Sequence, residues 1–282
     1  FFSSLIFIGL ATSSPEIFIA LLASLGNKSN IAIGNALGSN IANIALVFAV
    51  SFFFIKLNRD SLREIFTRDV KAFFIYIILI SILLIPLLID GQMNPIDSII
   101  LFCTFLIFLI FLRKFINLED RENEKISGSN LLKNSAVIVL SILLLIFGTQ
   151  IFLNSSIAIA SFFGVPNYVI GLSLTAIGTS IPELAASIQS ARRGNVDFII
   201  GNILGSNIFN IVLVLGLIGL IDYNPKSFID HNEFLRDISM IILTTILLIM
   251  IARNYNVYLS RILGMVLFLG FLVYQYNLYI YQ

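Results

Sequence analysis

Two glutamates stand where a membrane-crossing segment should carry no charge. Glu16 lies in ATSSPEIFIALLA, residues 11–23, and Glu183 in GTSIPELAA, residues 178–186. Both fall near the middle of long apolar runs. A carboxylate at that depth costs on the order of 2.5–3.5 kcal/mol even on a lenient insertion scale, so it needs a partner. No Lys, Arg or His occurs within the apolar body of these runs, which leaves a bound cation or a proton as the neutralising charge. Pro15 and Pro182 each remove a helical hydrogen bond and crowd the carbonyl four residues back. That frees carbonyls near Ala11 and Thr12, and near Gly178 and Thr179. Irregular backbone at membrane depth is tolerated where it lines a site. Thr12, Ser13, Thr179 and Ser180 add hydroxyls beside it. Together these groups form a hard-oxygen shell. Ca²⁺ takes 6–8 such oxygens, and Na⁺ is similar in size and hardness. The shell holds no soft ligand, which disfavours zinc, copper and iron.

A second polar motif accompanies the first. IGNALGSNIANIALV at 33–47 returns as IGNILGSNIFNIVLV at 200–214, and ATSSPE at 11–16 returns as GTSIPE at 178–183. Both pairs share one offset of 167 residues, so the chain contains a duplication. Gly34, Gly38, Gly201 and Gly205 offer surfaces on which a neighbouring helix can pack closely. Ser39 and Asn43 are four apart and share a helix face, as do Ser206 and Asn210. Asn40 and Asn207 point elsewhere and are candidates for hydrogen bonds that hold broken helices.

The composition sets the environment in which these motifs must work. The 282 residues are 58% hydrophobic and 12% charged, with mean hydropathy +0.99; a soluble domain carries about 25% charged residues. Most of the chain belongs in lipid. A net charge of +1 gives no footprint for nucleic acid. Cys103, the only cysteine, cannot form an intrachain disulfide and reads as inert packing in its apolar run. Residues 2–25 are long enough to span and lack a basic leader, so they do not read as a cleavable signal peptide.

Nine spans are expected, at 2–25, 31–55, 70–89, 96–112, 131–153, 167–191, 198–221, 235–252 and 258–277, each about 20 residues long. The polar stretch NLEDRENEKISGSN, 117–130, reads as a cytoplasmic linker between two halves, 1–116 and 131–282. Placing the 56–69 connection in the cytoplasm tests this topology by its basic residues. The cytoplasmic side then collects Lys56, Arg59, Arg63, Arg68, Lys71, Arg113, Lys114, Arg121, Lys125, Lys133, Arg192, Arg193, Arg253 and Arg261, fourteen in all. The outside keeps three, Lys28, Lys226 and Arg236. The C-terminus falls outside. The two repeat copies lie five spans apart, and an odd number reverses direction, so they are expected to be inverted relative to each other. Inverted repeats with interrupted helices are a signature of secondary transporters. Span 131–153 precedes the second copy. Its counterpart would lie before residue 1, so one N-terminal helix is expected to be missing. The fold class is therefore an all-α membrane protein of five plus five helices, with nine present.

These motifs resemble the α-repeats of the Ca²⁺/cation antiporter superfamily, the sodium/calcium exchangers and their prokaryotic relatives. GTSIPE and GNILGSNIFN match closely, ATSSPE and GNALGSNIAN nearly so. The resemblance implies a ten-helix antiporter of a prokaryotic cytoplasmic membrane, with no cofactor and no enzymatic activity. It implies ions held between the second, third, seventh and eighth helices. Carried over by motif, Glu16 and Glu183 would bind both Ca²⁺ and Na⁺. Thr12 and Thr179 would offer backbone carbonyls to Ca²⁺, Ser13, Ser180, Ser39 and Ser206 would line Na⁺ sites, and Asn43 and Asn210 would hold the centre. The family's first and sixth helices slide to alternate access; the sixth is 131–153 here. Two departures stand out. Ala11 replaces the motif glycine, with Ser14 where the second copy has Ile181. Many prokaryotic relatives carry Asp where this chain has Asn210, so two carboxylates stand in place of three.

Other readings share some of these residues. Ca²⁺/H⁺ exchange, K⁺-dependent exchange and Mg²⁺ transport keep the fold and change the ion. A cation channel could use the same ligands but would need a continuous pore, usually around an oligomeric axis, whereas an exchanger of this kind requires no oligomer. An intramembrane protease lacks a base: the only histidine, His231, lies in the polar stretch DHNEFLRD, away from Ser13 and Ser180.

Overall fold

The computed structural model describes residues 9–55, 68–88, 90–91, 93–113, 131–221, 229–253 and 256–280. The linker 117–130, and seven of the seventeen basic residues used to orient the chain (Lys56, Arg59, Arg63, Lys114, Arg121, Lys125 and Lys226), lie outside the described residues. Among the described residues, all regular structure is helical. Lipid cannot hydrogen-bond the backbone, so a chain this apolar must satisfy its peptide groups within each segment.

Every expected span is helical in its described part. The elements are α1 (Gly9–Thr12), α2 (Ser14–Leu25), α3 (Ser29–Ala42) and α4 (Ala49–Phe54), then α5 (Arg68–Leu87), α6 (Pro95–Arg113) and α7 (Leu131–Phe162). They continue as α8 (Asn167–Ile170), α9 (Ala176–Thr179), α10 (Ile181–Arg192), α11 (Val196–Phe209), α12 (Leu215–Ile221), α13 (His231–Arg253) and α14 (Val257–Ile280). Among the described residues, four continuous helical stretches are long and apolar enough to cross a membrane: Ser29–Phe54, Val196–Ile221, α13 and α14. Asn167–Thr179 with Ile181–Arg192 makes a fifth if that pair, bent by 41°, is one span.

Among the described residues, three π turns interrupt the α-helical ladder, at Asn43–Phe48, Gly171–Thr175 and Asn210–Val214. Two of them begin on matched residues, Asn43 and Asn210. Such wide turns concentrate at functional positions. The sequence reading placed Asn43 and Asn210 on regular helix faces. Each asparagine still donates its backbone N–H to the serine one turn earlier, Ser39 and Ser206, so those shared faces are kept and the register widens only beyond them.

Further differences have simple causes. α7 runs to Phe162, well past the expected end at 153, because no breaker intervenes before Gly164 and Pro166; Gly164 adopts a left-handed φ of +72°. Cys103 is exposed on α6 rather than packed inside. The turns after α2 and α10 share one backbone solution. Asn27 and Gly194, again 167 apart, both take left-handed conformations, φ 55° and 75°. Asn and Gly are the residues that adopt it readily.

α3 lies across the segment 167–179 in close backbone contact. Gly34 and Gly171 meet backbone to backbone, so that a side chain at either would strike a carbonyl of the other helix. A Cβ at Gly38 would stand 2.6 Å from the Leu172 carbonyl oxygen, 2.7 Å from its Cα and 2.8 Å from the Ala176 methyl. The matched crossing joins α1 to α11, where a Cβ on Gly9 would lie 3.1 Å from the backbone of Gly205. Elsewhere aromatic rings fill the core. Phe108 of α6 packs edge-on against Phe73 of α5 and Phe209 of α11, and stacks on Tyr76.

Replacing Gly38 with Val is expected to lower the melting temperature in detergent by about 3–10 °C, because overpacking of this kind costs about 1–3 kcal/mol. Gly270→Ala, where no atom lies within 4 Å of an added Cβ, is the control. It should leave the melting curve in place.

Candidate cation site

The backbone breaks fall at matched serines two residues before each proline. Ser13 has φ −79°, ψ 4° and Ser180 has φ −79°, ψ 1°. Both prolines sit in the first turn of the helix that follows, where a missing N–H is least costly. In the first copy the Ser14 hydroxyl donates to the Ala11 carbonyl at 2.6 Å, taking the acceptor that Pro15 cannot serve. Ile181 holds the corresponding place in the second copy and has no hydroxyl.

The breaks create two new helix N-termini inside the protein. Glu16 and Glu183 occupy the first turns of α2 and α10, where the exposed ends of peptide dipoles favour negative charge. Both side chains are fully buried, at 0% exposure. The structure brings them together: the two carboxyls lie within Coulombic reach of one another. Neither is in an ion pair; among the described residues the ion pair is Arg236–Asp237. Glu16 neighbours the hydroxyls of Thr179 and Ser39, and Glu183 those of Thr12 and Ser206. None of the four carboxylate oxygens makes a close, well-aligned hydrogen bond, nor do the hydroxyls of Ser13 and Ser180. Buried polar groups are ordinarily satisfied. A cluster of bare oxygens this deep is suited to a hard cation. Among the described residues no three His, Cys, Asp or Glu gather at one point, so any ion held here meets two carboxylates and neutral oxygens.

Around the carboxylates the matched residues trade bonds across the duplication. The Thr12 hydroxyl lies 3.1 Å from Asn202 Oδ1, 3.3 Å from Ser206 Oγ and 3.4 Å from the Gly9 carbonyl. The Thr179 hydroxyl lies 3.3 Å from Asn35 Oδ1, 3.2 Å from Ser39 Oγ and 3.3 Å from the Ala176 carbonyl. Each set becomes the other on shifting by 167 residues. The asparagines of the π turns depart from this symmetry. Asn43 Nδ2 donates to Asn207 Oδ1 at 3.0 Å, and Asn207 Nδ2 donates to the Asn40 carbonyl at 3.2 Å. Asn210 is fully buried with both amide atoms unpartnered.

A crevice of about 290 Å³ reaches the breaks from α7, lined by Pro15, Pro182, Thr179, Thr149 and Gly148 among others. The Phe152 ring closes on Gly178, filling the space a side chain there would need.

Two features escaped the sequence reading. Asn35 and Asn202 stand inside the repeated IGNxLGSN stretches, and their recurrence was the available signal. The other is a buried knot around Asp237, whose Oδ2 accepts from Tyr168 at 2.8 Å and from Arg236 Nη2 at 3.1 Å, while Oδ1 accepts from Tyr274 at 3.0 Å and Arg236 Nε at 2.7 Å. Its charge lay hidden in a polar run that reads as loop. The knot ties α8 to α13 and α14. Ser173 with Tyr279 (2.6 Å), and Gln275 with the Leu172 carbonyl (3.3 Å), tie the adjacent π turn to α14.

Comparison with known proteins places this arrangement. The profile of the sodium/calcium exchanger protein family matches residues 1–114 and 133–280. The inner membrane protein YrbG of Escherichia coli K12 is 32% identical, across 96% of this chain and 84% of its own. The sodium/calcium exchanger MaX1 of Methanosarcina acetivorans is 29% identical, across 91% and 83%. A solved structure of the sodium-calcium exchanger NCX_Mj, soaked with 10 mM Na⁺ and zero Ca²⁺, superposes with a TM-score of 0.68 at 26% identity, covering 96% of this chain and 85% of that one. The fold and the extent of these matches agree: this chain is an integral membrane protein that belongs to the sodium/calcium exchanger family.

Proposed function

We propose that the protein exchanges Ca²⁺ for Na⁺ across a prokaryotic cytoplasmic membrane by alternating access. The observation that carries this reading is the pair of fully buried glutamates whose four oxygens make neither a close, well-aligned hydrogen bond nor an ion pair. One Ca²⁺ or two Na⁺ would neutralise them. Glu16 and Glu183 serve both ions. The Thr12 and Thr179 carbonyls complete the Ca²⁺ shell, Ser13, Ser180, Ser39 and Ser206 line Na⁺ positions, and Asn43 and Asn210 hold the centre. α7 is the sliding element, moving along the crevice it shares with both prolines.

The two halves, 1–116 and 131–282, are inverted repeats joined by the cytoplasmic linker 117–130. The reciprocal bonding of Thr12 and Thr179 supports a two-fold relation between them. The Asp237 knot supports alternating span directions. Tyr168 and Asp237 begin their spans, Tyr274 is near the end of its own, and the three meet. On the basic-residue argument this end is the outer one, with the C-terminus outside.

The test is ⁴⁵Ca²⁺ uptake into proteoliposomes under imposed Na⁺, K⁺ and pH gradients. An outward Na⁺ gradient alone should drive uptake. Uptake driven by a proton gradient and indifferent to Na⁺ would replace the reading with Ca²⁺/H⁺ exchange, and an absolute need for K⁺ with K⁺-dependent exchange. Discrete single-channel currents would replace it with a channel.

A further inference from the structure

We infer that Asn40 and Asn207 are positioning residues that set the balance between the two facings of the ion site, by trading one set of amide hydrogen bonds for its reciprocal set. This rests on the exchange reading and on the two-fold relation between the halves proposed above.

The two residues are each other's match, 167 apart, and they touch: Asn207 Nδ2 donates to the Asn40 carbonyl at 3.2 Å. A contact between a residue and its own match lies on whatever two-fold relates the halves. A backbone carbonyl can only accept, so this bond fixes which end of the Asn207 amide is the nitrogen. The other end, Oδ1, accepts from Asn43 Nδ2 at 3.0 Å. The set that is made therefore runs from Asn43 through Asn207 to the Asn40 carbonyl. Exchanging each member for its match gives the reciprocal set: Asn210 Nδ2 to Asn40 Oδ1, and Asn40 Nδ2 to the Asn207 carbonyl. Neither of those bonds is made. The side-chain groups they need, both amide atoms of Asn40 and the Asn210 nitrogen, are without hydrogen-bond partners. The atom each set leaves over corresponds too, since Asn43 Oδ1 and Asn210 Oδ1 both lack partners.

All four asparagines are fully buried, and buried amides are ordinarily hydrogen-bonded. Asparagine stands at both members of each matched pair, 40 with 207 and 43 with 210, so sequence divergence at these positions does not create the asymmetry. A difference in conformation between the halves does account for it. A state open to the other side is the same two halves with their conformations exchanged. It would make the reciprocal set and release the present one. The bonds lost and gained are equal in number and kind. That keeps the two facings close in free energy and leaves their populations sensitive to a single side chain.

The experiment measures half-saturating Ca²⁺ at each membrane face, from ⁴⁵Ca²⁺ uptake into right-side-out and everted vesicles. Asn40→Leu removes side-chain bonds of the reciprocal set alone, and Asn207→Leu those of the present set alone. The ratio of the two half-saturations should move about tenfold in one direction for Asn40→Leu and about tenfold the other way for Asn207→Leu, the scale of one buried hydrogen bond. In the double variant the opposed shifts should cancel, returning the ratio to within about twofold of the parent. A purely structural role would weaken both faces alike and leave the ratio in place. Single variants that shift the ratio in the same direction, or by less than about twofold, overturn the proposal, as does a double variant that keeps either shift. If a Leu variant fails to fold, Asn40→Ser and Asn207→Ser, too short to make these bonds, are judged by the same outcomes. A parent protein that moves no Ca²⁺ would sink the functional reading and this one with it, whereas a working parent with an unmoved ratio in the variants sinks this one alone.

Discussion

Glu183→Gln and Glu16→Gln are each expected to reduce Ca²⁺ transport by on the order of 100-fold or more, with the fold intact. Gln keeps the size and shape of Glu but removes one of only two charges facing the ion. Breaking a buried charge pairing costs about 3–5 kcal/mol, which is over two decades in an equilibrium constant. In the ion-free protein the same change removes an unpaired buried charge, so the variants should melt no lower than the parent. The parent should also gain thermal stability from added Ca²⁺ by mass action, and the variants should not. Melting curves with and without Ca²⁺, read beside flux, separate these effects. Near-normal Ca²⁺ exchange in either variant would contradict the assignment of both glutamates.

The second expected result concerns the empty carrier, which should return across the membrane only slowly. With both carboxylates ionised and no ion bound, the site holds two negative charges in a low-dielectric layer. Among the described residues neither glutamate is ion-paired, and the Arg236–Asp237 pair is tied to Tyr168 and Tyr274 in a separate knot. Occluding such a site is costly, whereas loading it with one Ca²⁺ or two monovalent ions removes the charge. A third monovalent ion would move net charge with each cycle. Exchange coupling then follows from electrostatics. Protons bind the same carboxylates, so acid should inhibit Ca²⁺ uptake by competition. The measurement is ⁴⁵Ca²⁺ efflux from loaded vesicles into medium lacking Na⁺, K⁺ and Ca²⁺ at alkaline pH. Efflux should be at least tenfold slower than with external Na⁺ or Ca²⁺. Equal rates would show that the empty carrier returns freely and would end the exchange mechanism.

The asymmetries between the halves bear on how the cycle is gated. The first break carries Ser14, which occupies the Ala11 carbonyl, whereas the second carries Ile181. Asn43 is tied to Asn207, whereas Asn210 is free of partners.

Much of this protein was determined by sequence alone, because the relevant physics is local or periodic. A carboxylate in an apolar run, a proline one residue before it, and two motifs recurring at one offset can all be read along the chain. They are enough for the helical class, the duplication, the breaks near Pro15 and Pro182 and the choice of the two glutamates as the candidate site. What only the tertiary structure decided is which atoms meet. Thr12 reaches Asn202 and Ser206, while Thr179 reaches Asn35 and Ser39, partners separated by well over a hundred residues with no local pattern to link them. The π turns at Asn43 and Asn210 have no sequence signature, since an extra residue in a helical turn is set by what packs around it. The Asp237 knot looked like part of a solvated loop because burial depends on neighbours, and Tyr168 and Tyr274 come from two other helices. Side-chain identity sets what a residue can do. Which partners it meets is set by contacts that exist only once distant parts of the chain have packed together.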